Sequence, residues 1–199
     1  MKYAIIGFGQ IGRALASAFA RKGIEVAVAT TRDPRSFAAD AAVIGPGVVA
    51  ATLADALQAD VIFLAVRFES HPNVARALPD WKGKIVVDVT NTYGVDPAEL
   101  GGPSSSRVIA QAFAGASLVR GFNHLVAGVL EQDPAVHGGR RVVFLASDDE
   151  AAAKDIGTLA ERLGFAPVQL GGLLEGGLLV QTQGSRWGRL IFKDLVSFA

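Results

Sequence analysis

The chain has 199 residues, with 19 Lys and Arg against 19 Asp and Glu, a 50% hydrophobic fraction and no cysteine. A chain of this length makes one domain, or one with a small appendage, and buries roughly 70% of its unfolded surface, so its core needs no staple; without cysteine, disulfides, zinc-thiolate sites and thiol nucleophiles are excluded. Zero formal net charge argues against a surface for nucleic acid or anionic membrane, since both take an excess of Lys and Arg. The first apolar run, Tyr3 to Ile6, starts two residues after Met1 with no charged leader. The stretches Val61 to Val66 and Leu173 to Val180 fall far short of the ~18 residues of a membrane span, so a soluble, cytoplasmic protein is expected.

Short β-branched runs alternate with Ala-rich segments of helical length, the pattern of a parallel sheet covered by crossover helices. Lys2 to Ile6 reads as a strand. Gln10 to Lys22 reads as a helix with Ile11, Leu15, Ala18 and Phe19 on one face and Gly23 at its end, and Ile24 to Ala29 as the next strand. A short helix over Arg35 to Ala41, a weak strand at Val48 to Ala50 and a helix over Thr52 to Gln58, capped by Thr52, lead to the wholly apolar strand Val61 to Val66. Pro72 suits the first turn of a helix running to Leu78. Then come a strand at Lys84 to Val89, a helix at Ser104 to Phe113, strands at Ser117 to Phe122 and Arg141 to Ala146, a helix at Glu150 to Leu163 capped by Asp148 or Asp149, and a strand at Ala166 to Leu170. A last helical stretch is expected at Leu190 to Phe198.

Gly7-Phe8-Gly9-Gln10-Ile11-Gly12 falls between the first strand and the first helix. In that context G-x-G-x-x-G has a mechanical reason: Gly7 permits a tight turn, Gly9 admits a pyrophosphate to the backbone, and Gly12 lets helix and strand pack closely. The helix-start N–H groups then face the anion. An acid at the end of the second strand would bind the ribose 2′-OH of NAD, but here stand Thr30, Thr31 and Arg32, which offer donors and a positive charge to a 2′-phosphate. Asp33 lies one residue too late and with Pro34 reads as a turn or helix start, while Arg35 is a candidate second cation. NADP is therefore the expected cofactor.

The chain resembles the NADPH-dependent, coenzyme F420-type oxidoreductases, a family that in its broader sense includes the cytosolic NADPH domain of membrane ferric reductases. The resemblance spans most of residues 1–170 and rests on the Gly7 to Gly12 loop, Thr30-Thr31-Arg32, Phe63-Leu64-Ala65-Val66, Val87-Asp88-Val89-Thr90-Asn91 and Gly121-Phe122-Asn123. It implies an α/β, doubly wound Rossmann fold with a mostly parallel sheet over residues 1–170 and a short C-terminal extension over 171–199. Only 29 residues follow Leu170, too few for a large all-helical second domain. One departure stands out: where such proteins carry Pro or a small residue after Ala65-Val66, this chain has Arg67-Phe68-Glu69.

Ligands of open α/β sheets lie outside the carboxyl ends of the strands. Ala65, Val66 and Arg67 end the fourth strand, and the resemblance sets the first two against the nicotinamide; Arg67 either pairs with Glu69 or holds an oxyanion. Thr90 and Asn91 end the fifth strand, where their hydroxyl and amide are candidates to orient the nicotinamide carboxamide, the alternative for Asn91 being a turn before Gly94; Asn123 follows the sixth strand, and the resemblance makes it a cofactor-site residue. His124 is a candidate proton donor near the acceptor or, equally, a buried structural imidazole. The three histidines, His71, His124 and His137, do not cluster, so no metal site is expected.

The absence of a nucleophile–base set fits hydride transfer, in which the cofactor carries the chemistry. The expected activity is hydride exchange between NADPH and a flat acceptor such as coenzyme F420 or a flavin. Two other readings stay open: an NADP(H)-binding sensor or subunit without turnover, and a reductase of a small imine or carbonyl compound with His124 or Tyr93 as donor. The extension over residues 171–199 either covers the acceptor site, with Leu173, Leu174 and Trp187 of the Gly171 to Trp187 segment as walls, or makes a homodimer contact or a C-terminal wrap.

Overall fold

Eight strands share one sheet in the order β10-β9-β6-β5-β4-β1-β2-β3. They are β1 (Tyr3–Ile6), β2 (Val26–Ala29), β3 (Val48–Ala50), β4 (Val61–Leu64), β5 (Ile85–Asp88), β6 (Ser117–Gly121), β9 (Val142–Ala146) and β10 (Ala166–Gln169). The computed structural model describes residues 1–100, 102, 104–181, 187 and 190–193. Strands β1 to β6 run parallel, β9 pairs antiparallel with β6, and β10 is parallel to β9. The order reverses at β1, which lies between β2 and β4, and this switch point is where a doubly wound sheet opens a ligand crevice. The mostly parallel Rossmann-type sheet expected from the sequence is thus present, with no large helical domain among the described residues.

Period-2 alternation sorts the strand side chains into two layers. Ile5, Phe63, Val87 and Val119 face the helices α1 (Gln10–Arg21) and α7 (Glu150–Arg162). Ile62, Leu64, Val86 and Leu118 face α3 (Leu53–Ala56), α4 (His71–Ala75) and α5 (Ser105–Ala112). Rings of Phe19, Phe63, Phe122 and Phe165 pack edge-on in series across the first layer, at centroid distances of 5.6 to 5.8 Å. Helix α7 starts where expected: the Asp149 carboxylate accepts from the N–H groups of Ala151 and Ala152 and takes the Ser117 hydroxyl at 2.6 Å.

Four features depart from the sequence expectation. Helix α6 (Ala127–Leu130) and the hairpin β7 (Ala135–Val136) and β8 (Gly139–Arg140) fill the link between β6 and β9. The short α2 (Ala38–Ile44) starts after a separate 3-10 turn at Pro34–Ser36. Helix α8 (Gly176–Leu179) folds the segment after β10 back beneath Leu170, where a Cβ on Gly176 would stand 2.2 Å from the Leu170 carbonyl. Finally, residues 190–193 are not helical; Lys193 forms an isolated antiparallel bridge with Arg141 just before β9, and Phe192 packs on Phe144. The remainder of the expected terminal helix lies outside the described residues.

Sequence patterning gave no sign of the partnership that joins β5 to β6. Asp88 and Arg120 are cross-strand partners in the ladder, and Arg120 Nη1 donates to Asp88 Oδ2 at 2.6 Å with both side chains wholly excluded from solvent. Such a pair contributes little net stability, because desolvation offsets the attraction, but losing one partner strands a buried charge. Arg120→Met is expected to cost about 3–5 kcal/mol in urea unfolding, and the double variant Asp88→Leu/Arg120→Met is expected to recover most of it.

Candidate functional site

The phosphate loop lies at the switch point and is built by crowding on one side and space on the other. Gly7 holds φ 108°, and a Cβ there would come 2.3 Å from the Ala65 carbonyl; one on Gly12 would come 1.9 Å from the Gly7 carbonyl. Gly9, with φ −80°, is different: a Cβ there meets nothing within 4 Å. Gly9 is also the N-cap of α1, with no side-chain cap and no acid in the first turn, so the leading N–H groups stay available to an anion. A dinucleotide pyrophosphate fits this cradle.

Three adjoining clefts of about 510, 570 and 540 Å³ make one groove along the carboxyl edge. The first and second share Gly9, Ala65, Val66 and Arg67; the second and third share Gln10, Ile11, Asn91 and Tyr93. At the first end, Gly7, Phe8, Thr30, Thr31 and Arg32 line the wall, and the Arg32 guanidinium lies over the Phe37 ring at 5.4 Å. Sequence reasoning missed Ser70, Asn73 and Val74, which α4 and the turn before it supply to the same wall; the signal was their place just after β4. Arg35 is placed elsewhere than expected: it grips Asp33 through Nε and Nη2 and does not line the groove. Those bonds hold the Asp33 carboxyl below its usual range, and Asp33 also caps the turn at Pro34, as its position before a proline suggested.

At the middle of the groove Arg67 is well exposed and meets Glu69 only at 4.0 Å, a loose surface pair of small energetic weight. Thr90 and Asn91 line the opposite wall. Asn91 Nδ2 donates to the Asn123 carbonyl at 2.9 Å, and Asn123 Nδ2 donates to the Val180 carbonyl at 2.8 Å. Asn123 follows Phe122, a buried residue held at φ 61°, an unusual conformation for a bulky side chain and one that marks the exit from β6 as a specified feature. Leu125, Val126, Ala127 and Ile191 complete the third cleft, together with Tyr93; no periodic signal marked them beforehand.

His124 is nearly buried. Its Nε2 bonds the Val142 carbonyl at 3.3 Å and its ring packs on Phe144, while burial pushes its pKa down to about 4. The ring is therefore neutral at physiological pH, which matches the structural reading of this residue better than that of an imidazolium acid. Among the expected C-terminal walls, Leu173 is buried in the core layer, Leu174 is exposed, and Trp187 packs on Phe144 and Phe192. None of these three lines the groove; residues 182–186 of that segment lie outside the described residues.

A parallel sheet with its order reversed beside a glycine loop at a helix start defines a dinucleotide-binding protein of the Rossmann type. The sequence model of the family described as NADP oxidoreductase coenzyme F420-dependent matches residues 2–92. A solved hypothetical protein, SMa0349 from Sinorhizobium meliloti, is 38% identical with a TM-score of 0.90, over 98% of this chain and 96% of that one. A candidate F420-dependent NADP-reductase from Arthrobacter sp. FB24 is 28% identical with a TM-score of 0.71, over 90% of each chain. Rat metalloreductase STEAP3 is 28% identical over 174 residues, 86% of this chain and 34% of that protein. These matches support the coenzyme F420-dependent NADP oxidoreductase family, whose model covers residues 2–92 of this chain. It spans about a third of the length of the curated metalloreductases it matches. Among the described residues no helix is long and apolar enough to cross a membrane.

Two outcomes follow from this geometry. Gly9→Val is expected to leave the thermal midpoint within about 2 °C yet weaken NADPH binding more than about tenfold, whereas Gly12→Ala, forced against the Gly7 carbonyl, should cost about 3 kcal/mol of stability. For His124 the folded pKa lies below the unfolded one, so the unfolded chain binds the extra proton and stability falls as pH drops from about 6.5 to about 4. Denaturation across that range should show a loss on the order of 3 kcal/mol that His124→Gln does not show.

Proposed function

We propose that the protein exchanges hydride between NADPH and a flat redox acceptor, coenzyme F420 or a flavin. The observation that carries the NADP part is the disposition of charge at the end of β2. Thr30, Thr31 and Arg32 share a wall with Gly7 and Gly9, while Asp33, the next residue, is turned to Arg35. An NAD site needs an acid facing the ribose 2′-OH; this wall presents a guanidinium instead. In this reading Gly7, Gly9 and Gly12 hold the pyrophosphate and Thr31 and Arg32 the 2′-phosphate. Ala65 and Val66 flank the nicotinamide, which supplies the hydride when bound.

The acceptor part is supported by the third cleft. Its described lining pairs Ile11, Tyr93, Val126 and Ile191 with the amides of Asn91 and Asn123 and contains no charged side chain. Apolar walls with a few fixed amides suit a planar ring system and exclude water from the place where hydride moves. His124, neutral there, adds no charge.

Calorimetric titration should find NADPH bound at least about tenfold more tightly than NADH, since a charge-assisted hydrogen bond is worth ~1.5–3 kcal/mol. Arg32→Ala should abolish that preference, and equal affinities in the wild type would refute the assignment. Loss of NADPH absorbance against deazaflavin, flavins, quinones and ferric chelates identifies the acceptor. Tight NADPH binding with no turnover against any of them would favour a sensor or subunit instead.

A further inference from the structure

The Asp88–Arg120 pair lies directly behind the groove, and every polar group of Thr90 is tied to it. Asp88 Oδ1 accepts from the Thr90 N–H at 2.9 Å and from its hydroxyl at 2.7 Å, and Arg120 Nη2 donates to the Thr90 carbonyl at 3.2 Å. Helix α8 closes the far side, with Gly177 packed near the Arg120 Cδ atom. We propose that this buried pair is a positioning device that locks Thr90 in the groove wall as a hydrogen-bond acceptor for the nicotinamide end of the cofactor.

A hydroxyl has one hydrogen, and here it is spent on a carboxylate that no water reaches; Thr90 Oγ has only lone pairs left for a ligand, so it selects a donor such as a carboxamide N–H. A buried ion pair is in addition a poor source of net stability, since apolar substitutes of similar volume usually serve as well. What apolar substitutes cannot do is fix the N–H, C=O and O–H of one wall residue at once. Asn91, the next residue, extends the fixed wall to Asn123 through its own amide.

The inference rests on the NADP reading above, and the experiment separates the two. Wild type and variants of the full chain are titrated with NADPH and with 2′-phospho-ADP-ribose, which keeps the phosphates and lacks the nicotinamide. Thr90→Val, which keeps the ion pair and the side-chain shape, should weaken NADPH about fivefold or more and leave 2′-phospho-ADP-ribose within about twofold. Arg120→Met should show the same selective loss and Arg120→Lys should restore most of it; if Arg120→Met does not fold, Thr90→Val decides. Equal losses for the two ligands, or none for NADPH, would overturn the positioning role while leaving the NADP reading intact. A wild-type chain that binds neither ligand would instead overturn that reading and this inference with it.

Discussion

The structure depends on a close approach of backbones at the reversal of strand order. The end of β1 must pass the carbonyl of Ala65 and the start of α1 at distances that leave no room for a Cβ on Gly7 or Gly12. Hydrogen bonds from Gly7 to Ala29 and from Ala65 to Ile6 keep the carboxyl ends of β1, β2 and β4 level. Because the contact is made of backbone, no flexible side chain can relax it, and the strands on either side diverge into a groove. The uncapped start of α1 opens into that groove with Gly9 at its mouth.

Charge is distributed in a way that the neutral total conceals. Most carboxylates near the groove are engaged locally: Asp33 by Arg35, Asp40 by Arg13, Asp88 by Arg120. That pattern leaves Arg32 against an aromatic ring with no carboxylate among its described partners, and the proposed reading assigns its charge to the 2′-phosphate. The same economy appears at β5 and β6, where a pair of opposite charges is buried whole. A lone Asp or Arg at either position would be untenable in the core, so the two residues are meaningful only together.

The segment after β10 turns out to be a brace behind the site. Val180 accepts from Asn123, Gln181 accepts from the N–H and hydroxyl of Ser105, and the glycines of α8 allow it to lie flat against Leu170 and Arg120. Groups that look like lids in sequence, Leu173 and Trp187, are core and edge packing instead. Its contribution to the groove is the Val180 carbonyl, which holds the Asn123 amide from the rear, and the Ile191 side chain in the third cleft.

The sequence by itself determined the βαβ opening, the glycine loop, the capped α7 and the sorting of strands into two apolar layers, because each follows from local spacing: period 2, period 3.6, and glycine where a Cβ cannot stand. It likewise carried the cationic end of β2, since Thr30 to Arg32 adjoin one another. Tertiary structure decided the rest. The pairing of Asp88 with Arg120 joins residues 32 apart and exists only through strand register. The bond from Asn123 to Val180 spans 57 residues. Whether Arg35 faced the groove or Asp33 depended on a turn geometry that either arrangement of the same residues would satisfy. The neutrality of His124 came from burial against Phe144, a contact that sequence spacing does not encode. Local chemistry is written in neighbours along the chain; the environment that tunes it is assembled from neighbours in space.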